Sequence, residues 1–155
     1  MPQSILRPIL IGTLIAGTLD ILAAIGLTLF YGRDPMAMLR YVASGPFPGA
    51  TDMGTAGSIL GLIVHFALMA IMVTFYVLAA ARLRQLREKP ILWGILYGLA
   101  TYVVMNWLVV PLRFQTPLPP STRAVVTQLF CHIVLVGIPV ALVAARHFRR
   151  RSSLA

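Results

Sequence analysis

Apolar residues run almost unbroken through four stretches of this chain, about 9–31, 58–81, 91–112 and 124–145, and polar residues collect between them. Each stretch is near or above the roughly 20 residues that a membrane-spanning helix needs. The expected fold is therefore all-α: an integral membrane four-helix bundle in one domain over residues 1–155. Pro8 suits the first turn of span one, and the rings of Phe30 and Tyr31 fit a headgroup belt at its end. After it, Arg33-Asp34-Pro35 reads as an N-cap followed by Pro in a first helical turn. Pro35, Met38, Leu39 and Val42 then recur at helical spacing opposite Arg40, which predicts a short interfacial helix ended by Ser44-Gly45. Pro46, Pro48 and Gly49 mark a turn, and Thr51 or Asp52 is placed to cap span two.

Span two is expected to continue past Ala81 as a basic helical end reaching Lys89, with Pro90 restarting the chain. A connection this short makes spans two and three antiparallel neighbours. Trp93 and Trp107 sit towards the two ends of span three, and Pro111 is expected to stop it. Three prolines stiffen the loop from Phe114 to Ser121, and Pro139 is expected to bend span four. The first apolar run resembles a signal peptide in following Arg7. It is longer than the usual 7 to 15 apolar residues of such a leader and contains Asp20, so it is expected to remain as a helix.

Composition sharpens the class. The chain is 59% hydrophobic and 11% charged, against roughly 45 to 50% apolar residues in soluble domains. Its formal charge of +9 would suggest nucleic acid in a soluble protein, yet the cations follow the loops. With the N-terminus inside, Arg7, Arg82, Arg84, Arg87, Lys89, Arg146, Arg149, Arg150 and Arg151 fall on the cytoplasmic side, and Arg33, Arg40, Arg113 and Arg123 fall outside. The positive-inside rule then puts both termini in the cytoplasm, and the terminal RHFRRR run reads as an anchor on anionic lipid. Membrane lipid is the expected partner and nucleic acid is not. Arg40, Arg113 and Arg123 are read first as interfacial anchors and second as attractors of an anion or headgroup. The lone Cys131 excludes an intramolecular disulfide and reads as a small packing residue.

The candidate chemistry lies inside the spans. Asp20, His65 and His132 are ionisable groups at mid-helix positions, and an Asp there costs roughly 2.5 to 3.5 kcal/mol on insertion scales. Counting about 1.5 Å per residue from the outer ends puts Asp20, His65, Tyr102 and His132 in one layer, with Asn106 and Gln128 one turn nearer the outside. Each continues a stripe of small residues: Thr13, Gly17, Asp20, Ala24; Gly57, Gly61, His65; Gly94, Gly98, Tyr102, Asn106. Gly57-xxx-Gly61 and Gly94-xxx-Gly98 have the form of close helix-packing motifs. Two readings follow. The layer moves or senses protons as a small solute crosses, since histidine titrates near neutrality, or it only fixes which helices pair. A carboxylate and two imidazoles also form a donor set for zinc or iron, and His65 with His132 for haem. No HxxxH or ExxH spacing supports these, so no cofactor is expected. Without a nucleophile elbow, HExxH, CxxC or phosphate-binding glycine loop, the chain is not expected to be an enzyme. Four helices enclose little room, and spare glycine faces would pair protomers, which gives an expected homo-oligomer.

The segments AGTLDILAA, RYVASGPFPGA, GLIVHFALMAIMV, GLATYVVMNWLVVPL and FCHIVLVGIPVAL resemble those of small four-span bacterial inner-membrane proteins with no assigned activity. More distantly, the chain is similar to YagU-like proteins in a His in the second half-span, a Pro-Leu exit from a helix and a Gly/Cys-His start to the last helix. The resemblance implies a bacterial inner-membrane location and carries no catalytic residues over.

Overall fold

A computed structural model describes residues 5–152, and the side chains from Arg150 onward lie outside the described set. Four long apolar helices are present among the described residues: α1 (Leu6–Phe30), α3 (Gly54–Arg82), α5 (Pro90–Phe114) and α6 (Thr122–Arg149 in its apolar run, continuing helical to Ser152). Two short helices join them, α2 (Pro35–Ala43) and α4 (Arg84–Glu88). The chain is an all-α bundle of membrane-spanning type, each span slightly longer than its apolar run.

Local chemistry accounts for most of the boundaries. Gly32, at φ 64°, turns the chain out of α1 while the Gly32 and Arg33 amides donate to the Leu29 and Thr28 carbonyls. This is the left-handed exit that glycine adopts without steric cost. Asp34 caps α2, its two carboxylate oxygens accepting from the amides of Met36 at 2.8 Å and Ala37 at 3.0 Å, with Pro35 in the first turn.

Three boundaries differ from expectation. Neither Thr51 nor Asp52 caps α3; both belong to a 3-10 turn, Pro48–Asp52, and α3 starts after Met53 without a side-chain cap. The basic end of α3 is not one helix to Lys89, because Leu83 is extended (φ −104°, ψ 106°) and separates α3 from α4. Pro111 does not stop α5. The helix runs through it to Phe114 and ends at a left-handed Gln115.

Pro111 and Pro139 are both accommodated by the same local device. A π-helical segment, Val104–Val109, precedes Pro111, and another, Cys131–Gly137, precedes Pro139; each ends two residues before the ring. Proline lacks the N–H that would reach the carbonyl four residues back and its ring presses on that carbonyl. A wider i→i−5 turn hands those carbonyls to other donors and moves them off the ring. Helix continuity is kept through both prolines, including Pro111, where the span was expected to stop.

The spans alternate in direction, and α6 is the central one. It packs on α1, α3 and α5, and also on α4. Its closest approach is to α5: a Cβ on Gly98 would strike the His132 carbonyl, one on Gly94 would lie 2.8 Å from Ile138 Cα, and one on Gly137 would strike the Gly94 carbonyl. The Gly94/Gly98 motif thus packs span on span as expected. Gly57 and Gly61 do not. Their missing side chains admit the Ala50 and Leu39 carbonyls, so this stripe seats the 3-10 turn and α2 rather than another span. Both glycine stripes are therefore filled within the chain, and neither is spare for a second copy.

Helices α3 and α5 are antiparallel neighbours, yet they meet through side chains. Tyr97 donates to the Met72 carbonyl at 2.6 Å and its ring stands edge-on to Tyr76 at 5.0 Å. Beside this bridge lies an apolar groove of about 380 Å³, lined among others by Leu68, Phe75, Ala100 and Met105. The buried core, with Ala16, Val73, Val77, Val140, Ala144 and Phe148, comes from α1, α3 and α6 and lies towards the end carrying the termini.

Candidate functional site

The polar layer forms in the other half of the bundle, where α1, α3 and α6 converge. Gly17 on α1 sits against the Phe66 ring; an added Cβ would be 2.7 Å from it. That close approach brings the preceding residue of α3, His65, within reach of the α1 backbone. His65 Nε2 lies 2.9 Å from the Gly17 carbonyl oxygen. A carbonyl only accepts, so Nε2 carries a proton and donates it. The remaining nitrogen, Nδ1, faces Asp20 one turn further along α1, 4.0 Å from Oδ2. His65 is buried and Asp20 is partly buried.

With Nε2 committed to Gly17, Nδ1 is left facing the carboxyl of Asp20. At 4.0 Å the pair is an electrostatic contact without a hydrogen bond.

His132, on the π segment of α6, has the opposite arrangement. Its Nδ1 lies 2.9 Å from the Gln128 carbonyl and by the same argument donates to it. His132 is partly buried, and its π segment packs against α1, the helix that carries Asp20. The buried Tyr102 ring stands edge-on to His132 at 6.0 Å, and the Tyr102 hydroxyl accepts from Trp107 Nε1 at 3.2 Å. Asp20, His65, His132 and Tyr102 are thus brought into one region from four spans.

Asn106 and Gln128, expected one turn nearer the outside, each contact the layer residues through a local backbone carbonyl. The Asn106 amide donates to the carbonyl of Tyr102 on its own helix at 3.3 Å, and Gln128 contributes its backbone carbonyl to His132. In an apolar helix, a nearby backbone acceptor one turn back satisfies a short polar side chain without a crossing bond. Among the described residues no group of three His, Cys, Asp or Glu is placed to hold a metal ion. Cys131 is buried and unoxidised beside His132.

The three arginines read as anchors have partners within the chain. Arg113 reaches from α5 to the end of α2, its Nε donating to the Gly45 carbonyl at 2.6 Å and its terminal nitrogen to Ser44 at 2.7 Å. Arg40 lies 3.4 Å from Asp34 and 3.4 Å from the Ser58 hydroxyl. Arg123 lies over the Tyr31 ring at 5.5 Å. Sequence reasoning missed Ser58, which is buried on α3 and donates to the Met36 carbonyl of α2 at 2.9 Å. Its position one residue after Gly57 in the stripe facing α2 was the available signal.

Comparisons of the chain with family models, curated proteins and solved structures found no match.

Proposed function

We propose that this chain is a proton-linked membrane protein, in which Asp20 and His65 take up and release one proton between them as a small solute or the proton itself crosses, with His132 as a second titrating group. The observation that carries the reading is the orientation of His65. Its Nε2 is fixed on the Gly17 carbonyl, and its free Nδ1 is 4.0 Å from the Asp20 carboxyl. Two such groups side by side in an apolar bundle are costly to maintain for packing alone, since Ser or Asn supplies the same hydrogen bonds without a charge. The proposal includes a bacterial inner-membrane location with both termini in the cytoplasm, supported by the nine-to-four distribution of basic residues and by the resemblance to small four-span and YagU-like proteins. It involves no cofactor and no enzymatic reaction. A homo-oligomer would enclose a path that four helices alone leave narrow.

A second reading is favoured by the same hydrogen bond. His65 to Gly17 joins α3 to α1 across the bundle, and a structural or assembly protein would need nothing more from the layer. Membrane interhelical bonds of this kind contribute about 0.6 kcal/mol each.

His65→Gln separates the two. Glutamine can still donate to the Gly17 carbonyl but cannot titrate, whereas His65→Leu loses both abilities. With the chain reconstituted in vesicles under a pH gradient, proton flux is expected to fall to background in His65→Gln and Asp20→Asn, with folded yield in detergent held near that of the unaltered chain. Unchanged flux in both variants, or no flux in the unaltered chain, refutes the proton reading. Loss of yield confined to His65→Leu favours the packing role.

A further inference from the structure

At the end of the bundle that carries the termini, α4 and the last turns of α6 enclose a cavity of about 500 Å³ lined by Arg84, Arg87, Glu88, Phe148 and Arg149. Three guanidinium groups and one carboxylate meet there, and the carboxylate is already engaged: Arg84 Nε lies 2.6 Å from Glu88 Oε1. Arg149 fastens α6 to α4 by donating from one terminal nitrogen to the carbonyls of Arg87 at 2.6 Å and Glu88 at 2.9 Å. A guanidinium has five N–H donors, so this bond leaves most of them available while holding the group in place. Arg87 lies 5.7 Å from the centre of the Phe148 ring, a cation–π contact that orients the side chain without using its N–H donors. Phe148 itself is buried and forms the floor.

We propose that this cavity binds the phosphate of an anionic phospholipid headgroup, with Arg87 and Arg149 as its principal donors. Two oriented guanidinium forks above a rigid aromatic floor match a phosphate better than a carboxylate or a neutral group does. The location selects the lipid. α3 ends at Arg82 and α5 begins at Pro90, so the cavity lies where two apolar spans leave the hydrocarbon, at the level of headgroups. A basic tail attracts an anionic surface diffusely. A cavity with fixed donors instead holds one headgroup and depends on particular arginines.

The site is tested on the purified full chain in detergent, by measuring the rise in melting temperature and the retention of lipid by native mass spectrometry. The added probes are phosphatidylglycerol, phosphatidylcholine and inorganic phosphate. Phosphatidylglycerol is expected to bind and stabilise, and phosphatidylcholine, whose quaternary ammonium is repelled by the cavity's arginines, to bind more weakly and stabilise less. Arg87→Gln should weaken phosphatidylglycerol binding about tenfold. Arg87→Lys, which keeps the charge and loses the fork, should weaken it about threefold. Lys89→Gln removes a charge at the same end but outside the cavity, and Arg33→Gln removes one at the far end; each should change binding less than about twofold. The proposal is overturned if Arg87→Gln and Arg87→Lys bind like the unaltered chain, if Lys89→Gln loses as much as Arg87→Gln, or if inorganic phosphate reproduces the lipid's stabilisation and shows the ligand to be a free anion.

Discussion

A single imidazole, His65, serves two purposes because its nitrogens face different neighbours: one holds the α1 backbone and the other faces a carboxyl. Several other residues matter through what they lack. Gly61 has no side chain because the Leu39 backbone occupies that space, and Gly98 gives way to the backbone at His132. Gly61→Ala is therefore expected to destabilise the chain by about 1 to 3 kcal/mol, since backbone cannot retreat as a flexible side chain can. Gly26→Ala, on α1 with nothing within 4 Å, should be neutral or slightly stabilising through helix propensity. Melting in detergent checks both, and equal effects would mean that α2 does not seat on α3 as described.

At the scale of elements, α2 is held at each end by a separate polar contact. Asp34 caps its first turn, and Arg113 from α5 donates to the Ser44 and Gly45 carbonyls at its last. A cation at a helix C-terminus also complements the negative end of the helix dipole. Asp34→Ala should cost about 1 kcal/mol. Arg113→Gln should leave the spans intact but speed amide hydrogen exchange in residues 39–45, an outcome readable by mass spectrometry. Uniformly faster exchange over all four spans would show instead that Arg113 supports the whole bundle. The π segments before Pro111 and Pro139 belong to the same scale. They let α5 and α6 run on through proline, and one of them carries His132 while the other carries Asn106 and Trp107.

Across the whole molecule, α6 fills the centre and leaves α3 and α5 bridged by side chains over a groove of about 380 Å³. Space is therefore distributed unevenly. Ala100→Leu projects into that groove and is expected to shift melting by less than about 2 °C. Ala144→Leu, at a position with no exposure, should overpack the core at a cost of about 1 to 3 kcal/mol. Similar melting of the two variants would contradict the central placement of α6. The sequence alone determined the all-α class, the four spans to within a few residues, α2 with its Asp34 cap, and the spans on which Asp20, His65, Tyr102 and His132 lie. These depend on apolar run length, local capping and helical periodicity, all properties of contiguous residues. It did not determine that Gly57 and Gly61 seat α2, that Arg113 fastens α2 to α5, that helix α5 passes through Pro111, or that Asn106 turns back on its own helix. Each of those depends on which of several nearby acceptors or surfaces lies closest once the helices have packed, and residues distant in sequence compete for them only in three dimensions.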